Sequence, residues 1–315
     1  MRIHIIEPLA VTEEEMDNFK KVFTELGHEV TAYKDRNEDT DEIIKRCSGA
    51  DIVVLANLPF PEKVIKELPQ LKMLAVAFTG TDHVAMDACR RQRITVSNAS
   101  GYSTVNVAEL TIGLIIDLLR NVTRLDPVTR SGGTRAGFAG YDLAGKTVGI
   151  IGTGEIGLRV AKLLSCFDTD VIGYSRTKRS EARKYLNYAD MDTLLERSDI
   201  ITLHVPLSSE TRGLIDAQKL GRMKKGSFLV NCARGPIVNT RDLAAALQHG
   251  PLAGAALDVF DTEPPLQEDN PLFDLENVIL TPHIAYATHE AFSRRFRIVE
   301  QNITGFLEGK PLNVV

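Results

Sequence analysis

The stretch Lys146–Thr177 reads KTVGIIGTGEIGLRVAKLLSCFDTDVIGYSRT. An apolar run, Val148 to Ile151, leads directly into Gly152-Thr153-Gly154-Glu155-Ile156-Gly157. Helical spacing follows in Leu158, Val160, Ala161, Leu163 and Leu164. A second apolar run, Val171 to Tyr174, ends at Ser175-Arg176-Thr177. Strand, turn, helix and strand in this order form the unit that cradles a dinucleotide. Gly152 allows the tight turn, and Gly157 lets the helix pack closely on the strand. Gly154 lets backbone N–H groups, those of Glu155 and Ile156 among them, approach a pyrophosphate at the positive end of the helix.

The rest of the chain builds around this unit. Its 315 residues are long for one core, so two domains are expected. A hydrophobic content of 43% and a charged content of 25% are those of an ordinary globular protein. The net charge of -5 comes without a Lys/Arg cluster, so neither nucleic acid nor an anionic membrane is expected as partner. Cys47, Cys89, Cys166 and Cys232 lack metal or redox spacing, and no metal site is expected. With too short an apolar run at the N-terminus for a signal peptide, the expected location is the cytoplasm.

Strand-length apolar segments at 3–6, 28–33, 51–55, 72–78 and 94–96 alternate with helical ones, which predicts a small parallel α/β domain. Thr12 with Glu15 is a capping-box pattern opening one of those helices. Thr104–Arg120 predicts a long helix, apolar over most of its surface and therefore buried between domains or against a second subunit. The polar, glycine-rich segment 125–141 predicts an arm of little regular structure. Beyond the opening unit, strands at 199–204, 227–231, 253–257 and 278–280 bring the second sheet to six. The helix from Thr288 to Leu307 is expected to return to the first domain. The expected fold class is thus α/β, with a Rossmann dinucleotide-binding domain over 99–287, including a dimerisation helix and arm. It is inserted in a smaller flavodoxin-like substrate domain formed by 1–98 and 288–315.

In open parallel sheets, ligands bind at the carboxyl ends of strands. The polar residues there are Ser175, Arg176 and Thr177, then Arg234, Asp258, Glu263 and His283, and in the first domain Thr79-Gly80-Thr81. Pro206, Cys232 and Ala233 line the same edge and are assigned cofactor contact, as is His204.

The segments TVGIIGTGEIG, HVPLSSETRGLI, FLVNCARGPIVN, ALDVFDTEPP and NPLFDLENVILTPHIAYAT resemble those of the D-isomer-specific 2-hydroxyacid dehydrogenase family. The resemblance runs along almost the whole chain and implies a catalytic set of Arg234, Glu263 and His283. Arg234 offers a planar fork to the carboxylate and ketone of a 2-oxo acid. His283 acts as general acid in reduction. Glu263 hydrogen-bonds the other ring nitrogen of His283 and stabilises its protonated form. The resemblance also implies that N–H groups of Thr79, Gly80 and Thr81 hold the substrate carboxylate and that Asp258 holds the nicotinamide carboxamide.

An NAD-specific sheet places a carboxylate after its second strand. Ser175-Arg176-Thr177 has none, and its hydroxyls and guanidinium suit a 2′-phosphate, which points to NADP(H). NAD with Arg176 stacked on adenine is the alternative. NASGYST (98–104) and TPHIAYAT resemble the glyoxylate and hydroxypyruvate reductase branch, so small 2-oxo acids are the expected substrates. Tyr102 and Tyr286 are assigned to the substrate pocket, with Tyr286 standing where the branch commonly has Trp. An NAD-dependent phosphoglycerate-like dehydrogenase and a non-catalytic dinucleotide-sensing corepressor are the alternatives. A homodimer is expected from the helix over 104–120.

Overall fold

The computed structural model describes residues 1–262 and 265–315. The chain divides into two compact α/β units, Met1–Ser103 with Ala287–Val315, and Thr104–Tyr286.

The first unit runs β1 (Arg2–Ile5), α1 (Glu13–Glu25), β2 (Glu29–Ala32), α2 (Thr40–Cys47), β3 (Ile52–Leu55), α3 (Glu62–Lys66), β4 (Met73–Val76), α4 (Met86–Arg91) and β5 (Thr95–Asn98). Its strands are parallel in the order β2-β1-β3-β4-β5. IVVL and MLAV have no polar residue because β3 and β4 are buried on both faces, whereas EVTA at the edge alternates. The capping box forms as the spacing predicts: Thr12 Oγ1 accepts from the Glu15 N–H, and Glu15 accepts from the Thr12 N–H at 2.9 Å.

The second unit contains α5 (Thr104–Arg120), α6 (Val122–Arg130), β6 (Thr147–Ile151), α7 (Glu155–Leu164), β7 (Asp170–Tyr174), β8 (Asn187–Tyr188) and α8 (Met191–Arg197). It continues through β9 (Ile200–Leu203), α9 (Ala217–Arg222), β10 (Ser227–Asn231), α10 (Thr240–Gln248), β11 (Leu252–Leu257) and β12 (Val278–Leu280). All strands are parallel, in the order β12-β11-β10-β9-β6-β7-β8. The strand order reverses between β6 and β9, which makes the carboxyl end of β6 the switch point. The last helix, α11 (His289–Leu307), belongs to the first unit and packs on β4 and β5, where Asn302 Nδ2 donates to the Asn98 carbonyl at 2.8 Å.

Three expectations need correction. The second sheet has seven strands rather than six, because β8 is two residues long and carries no apolar run. The segment 125–141 is not all irregular: α6 runs through Pro127, whose ring costs one hydrogen bond in a short exposed helix. The apolar side of α5, including Val107, Ala108, Ile112, Ile115 and Leu119, is buried in its own unit against α7, β10 and β11. Among the described residues, no helix is long and apolar enough to cross a membrane.

Candidate active site

At the end of β6 the chain turns through Gly152 with φ 99°, and a Cβ there would lie 2.4 Å from the His204 carbonyl oxygen. A Cβ at Gly157 would lie 2.0 Å from the Gly152 oxygen, so α7 crosses β6 only with glycine at that point. Gly154 differs. It is the N-cap of α7, no side chain caps the helix, and an added Cβ meets nothing within 4 Å. The first turn of α7 therefore has no side-chain cap on its N–H groups and open space beside Gly154, as a pyrophosphate requires. Glu155 is exposed and its carboxylate accepts from Arg179 at 2.5 Å, so its offering to a phosphate is the N–H. Ile156 packs against the core.

The tip of β7 is polar and basic. Ser175 is half-buried, while Arg176, Thr177 and Lys178 are exposed. Arg176 pairs with Glu210 in the loop after β9. The N–H of Arg179 donates to Tyr188 Oη at 3.0 Å, and Tyr188 Oη lies 2.9 Å from the hydroxyl of Thr153 within the glycine turn. Lys178 Nζ lies 5.8 Å from the Tyr188 ring centroid. No carboxylate occurs from 175 to 179. Arg179, Tyr188 and Glu210 escaped the sequence because β8 carries no pattern that brings Tyr188 to the turn.

The ends of β10, β11 and β12 lie side by side and carry Arg234, Asp258 and His283. Asn231 shapes the first bend: its Nδ2 donates to the Arg234 carbonyl at 2.9 Å and its Oδ1 accepts from the Ala233 N–H at 3.0 Å. The half-buried Arg234 donates to the Ala233 carbonyl at 2.8 Å. Gly235 follows because a Cβ would lie 1.9 Å from the Phe260 backbone. Cys232 is buried among core residues, and burial pushes its thiol up to about 12, which disfavours the thiolate. Pro206 is exposed and its carbonyl accepts from Thr211 Oγ1.

Asp258 is fully buried and serves the His283 loop. Its carboxylate accepts from Thr281 Oγ1 at 2.6 Å and from the N–H groups of Ile284 and Ala285, both at 2.8 Å. Burial raises its pKa, against the pull of those donors. With three donors of this loop on it, Asp258 also shapes the loop. Asn106 on α5 completes the anchor, its Nδ2 donating to the Ala285 carbonyl at 2.8 Å. Between these ties His283 takes φ 54°, a conformation that needs outside support in a non-glycine residue. Tyr286 stands edge-on to the His283 ring, centroids 5.1 Å apart. Glu263 lies outside the described residues.

His204, at the end of β9, has its Nε2 3.0 Å from Thr202 Oγ1 and is pushed down to about 3 by burial, so it stays neutral. In the first unit the Thr79–Thr81 turn follows β4, with the Thr79 carbonyl accepting from Asn98 Nδ2 at 2.8 Å. Tyr102 is 1% exposed, with its ring 6.0 Å from the Phe78 ring and 5.8 Å from the Arg295 guanidinium.

A doubly wound sheet with an uncapped glycine turn at its switch point, and Arg, Asp and His on three adjacent strand ends, defines a dinucleotide-dependent oxidoreductase domain. A sequence profile described as D-isomer specific 2-hydroxyacid dehydrogenase, NAD binding domain, matches residues 112–285. A glyoxylate reductase of Thermofilum pendens is 37% identical over 88% of this chain and 84% of its own length. A hydroxypyruvate reductase of Blautia hydrogenotrophica is 32% identical over 100% of this chain and 99% of its own. Among solved structures, an acyclic imino acid reductase in complex with NADPH and D-Arg is similar at a TM-score of 0.90 and 28% identity, covering 100% of both chains. The chain belongs to the D-isomer-specific 2-hydroxyacid dehydrogenase family and is an NAD(P)-linked oxidoreductase acting on CH–OH groups.

Proposed function

We propose that this enzyme reduces small 2-oxo acids, glyoxylate or hydroxypyruvate foremost, and prefers NADPH to NADH. The observation that carries the cofactor preference is the tip of β7, where hydroxyls and cations occupy 175–179 and the segment itself carries no carboxylate. The glyoxylate and hydroxypyruvate reductases among the relatives support the substrate class.

In this proposal the second unit holds the dinucleotide, and the N–H groups of Thr79, Gly80 and Thr81 bind a carboxylate. Gly152, Gly154 and the N–H groups of Glu155, Ile156 and Gly157 take the pyrophosphate. Ser175, Arg176 and Thr177 take the 2′-phosphate, and Pro206, Cys232 and Ala233 pass along the dinucleotide through their backbone. The nicotinamide, when bound, supplies the hydride. Arg234 binds the substrate carboxylate and polarises the ketone oxygen with its planar donors. His283 delivers the proton to that oxygen, giving the D-2-hydroxy acid, and removes it in the reverse direction. Glu263 keeps its sequence-based role of holding the imidazolium, Asp258 and Asn106 position the loop, and Tyr286 flanks the substrate. Cys47, Cys89 and Cys232 are buried free thiols, which suits a reducing cytoplasm. A homodimer would cover Val122, Tyr141 and Phe273, large apolar side chains left exposed on the second unit.

A panel of 2-oxo acids assayed with NADPH tests the substrate class. The expected order puts glyoxylate and hydroxypyruvate above branched and aromatic oxo acids. Activity confined to the latter would overturn the substrate and keep the reaction.

A further inference from the structure

Both arginines of the basic segment after β7 are paired within the protein itself. Arg176 carries Glu210, and Arg179 carries Glu155 at 2.5 Å and Glu181 at 3.9 Å. The two kinds of pair are not equivalent. Glu155 and Glu181 lie within or beside the dinucleotide motif, whereas Glu210 reaches across from the far side of the switch point. In the sheet, β7 and β9 flank β6, so a contact from the β7 tip to the β9 loop spans the mouth of the glycine turn.

The position of Glu210 is built by its loop. The Ser208 N–H donates to Thr211 Oγ1 at 2.8 Å, and the Glu210 N–H donates to Ser208 Oγ at 3.3 Å. Thr211 Oγ1 donates to the Pro206 carbonyl at 2.6 Å, and the Arg212 N–H donates to the Ser208 carbonyl at 3.0 Å. A turn tied at four points holds the Glu210 backbone toward Arg176. The side chains of Arg176 and Glu210 are 74% and 64% exposed, so the pair is weak and open to exchange.

We propose that Glu210 is an internal stand-in for the 2′-phosphate, and that its competition for Arg176 sets how strongly the enzyme discriminates NADPH from NADH. The inference rests on the NADP(H) preference proposed above. A 2′-phosphate carries more charge than a carboxylate and offers three acceptor oxygens, so it wins the Arg176 fork, at a cost that depends on Glu210. NADH presents a neutral hydroxyl there and gains nothing from displacing the carboxylate.

The test is a fluorescence titration giving Kd for NADPH and NADH with the wild type, Glu210→Gln, Arg176→Ala and the double variant. Glu210→Gln is expected to tighten NADPH roughly fivefold and to leave NADH within about twofold, an effect that fades at high salt. In the Arg176→Ala background the gain is expected to shrink below about twofold, because no guanidinium is left to contest. Equal changes for both cofactors, looser NADPH binding, or a full gain without Arg176 would each overturn the competition. The wild-type Kd ratio separately decides the NADP(H) preference, so a failure there is distinguishable from a failure of the role of Glu210.

Discussion

The carboxyl edge of the second sheet has two ends built on opposite terms. At the β6–β7 end, the glycine turn is uncapped and open, and the neighbouring charges are exposed and paired across solvent. At the β10–β12 end, Asp258 is fully buried and Asn106 nearly so, and both are tied to the backbone around His283. Buried polar ties are costly to break, while exposed ion pairs are cheap to exchange. In the proposed function, the open end is thus where cofactor choice can drift through small energies, and the closed end is where the chemistry is held to one geometry.

The largest effect is expected at the closed end. His283→Ala should lower kcat by about 10²–10⁴-fold with NADPH binding retained, since it removes the proposed general acid but not the dinucleotide turn. Steady-state kinetics with a separate cofactor titration checks this, and full activity would remove His283 from the mechanism. Next comes Asn106→Ala, which leaves the buried Ala285 carbonyl without its donor. It should cost about 1–3 kcal/mol of stability and about tenfold in kcat through misplacement of the His283 loop. Loss of stability in a denaturant titration with unchanged kcat would make the tie structural only.

The open end should respond in ratio rather than in rate. Ser175→Asp places a carboxylate where the 2′-phosphate is proposed to sit and should shift the NADPH/NADH ratio of kcat/KM toward NADH by about tenfold or more. An unchanged ratio would sever the β7 tip from cofactor choice. The smallest effect is expected at His204, which lies between the two ends. Its pKa is pushed down to about 3, so the charged form is lost as pH rises through about 3 and the ring is neutral over the assay range. His204→Gln should therefore leave the pH profile of kcat/KM superposable on that of the wild type. A displaced acid limb would show that the ring titrates.

Much of this was legible in the chain, and the reason is local. Apolar runs, glycine spacing and the Thr12–Glu15 cap are short-range signals, and they placed both parallel sheets, the turn and the helix over 104–120. What escaped depends on residues far apart in sequence. Asn106 meets Ala285 across 179 positions, and nothing around an Asn in an apolar helix announces that partner. Tyr188 joins Thr153 and Arg179 only because a two-residue strand extends the sheet. Pro127 and the glycines after it hid α6, since helix breakers outweigh the pattern of a nine-residue helix that buries no side chain.

The central claim joins the two ends: a small 2-oxo acid is reduced at one with a cofactor selected at the other. It is tested most directly by kcat/KM for glyoxylate and hydroxypyruvate, each measured with NADPH and with NADH on the wild-type enzyme. The account predicts turnover of both acids with NADPH favoured over NADH by about tenfold or more. Equal or better turnover with NADH would contradict it.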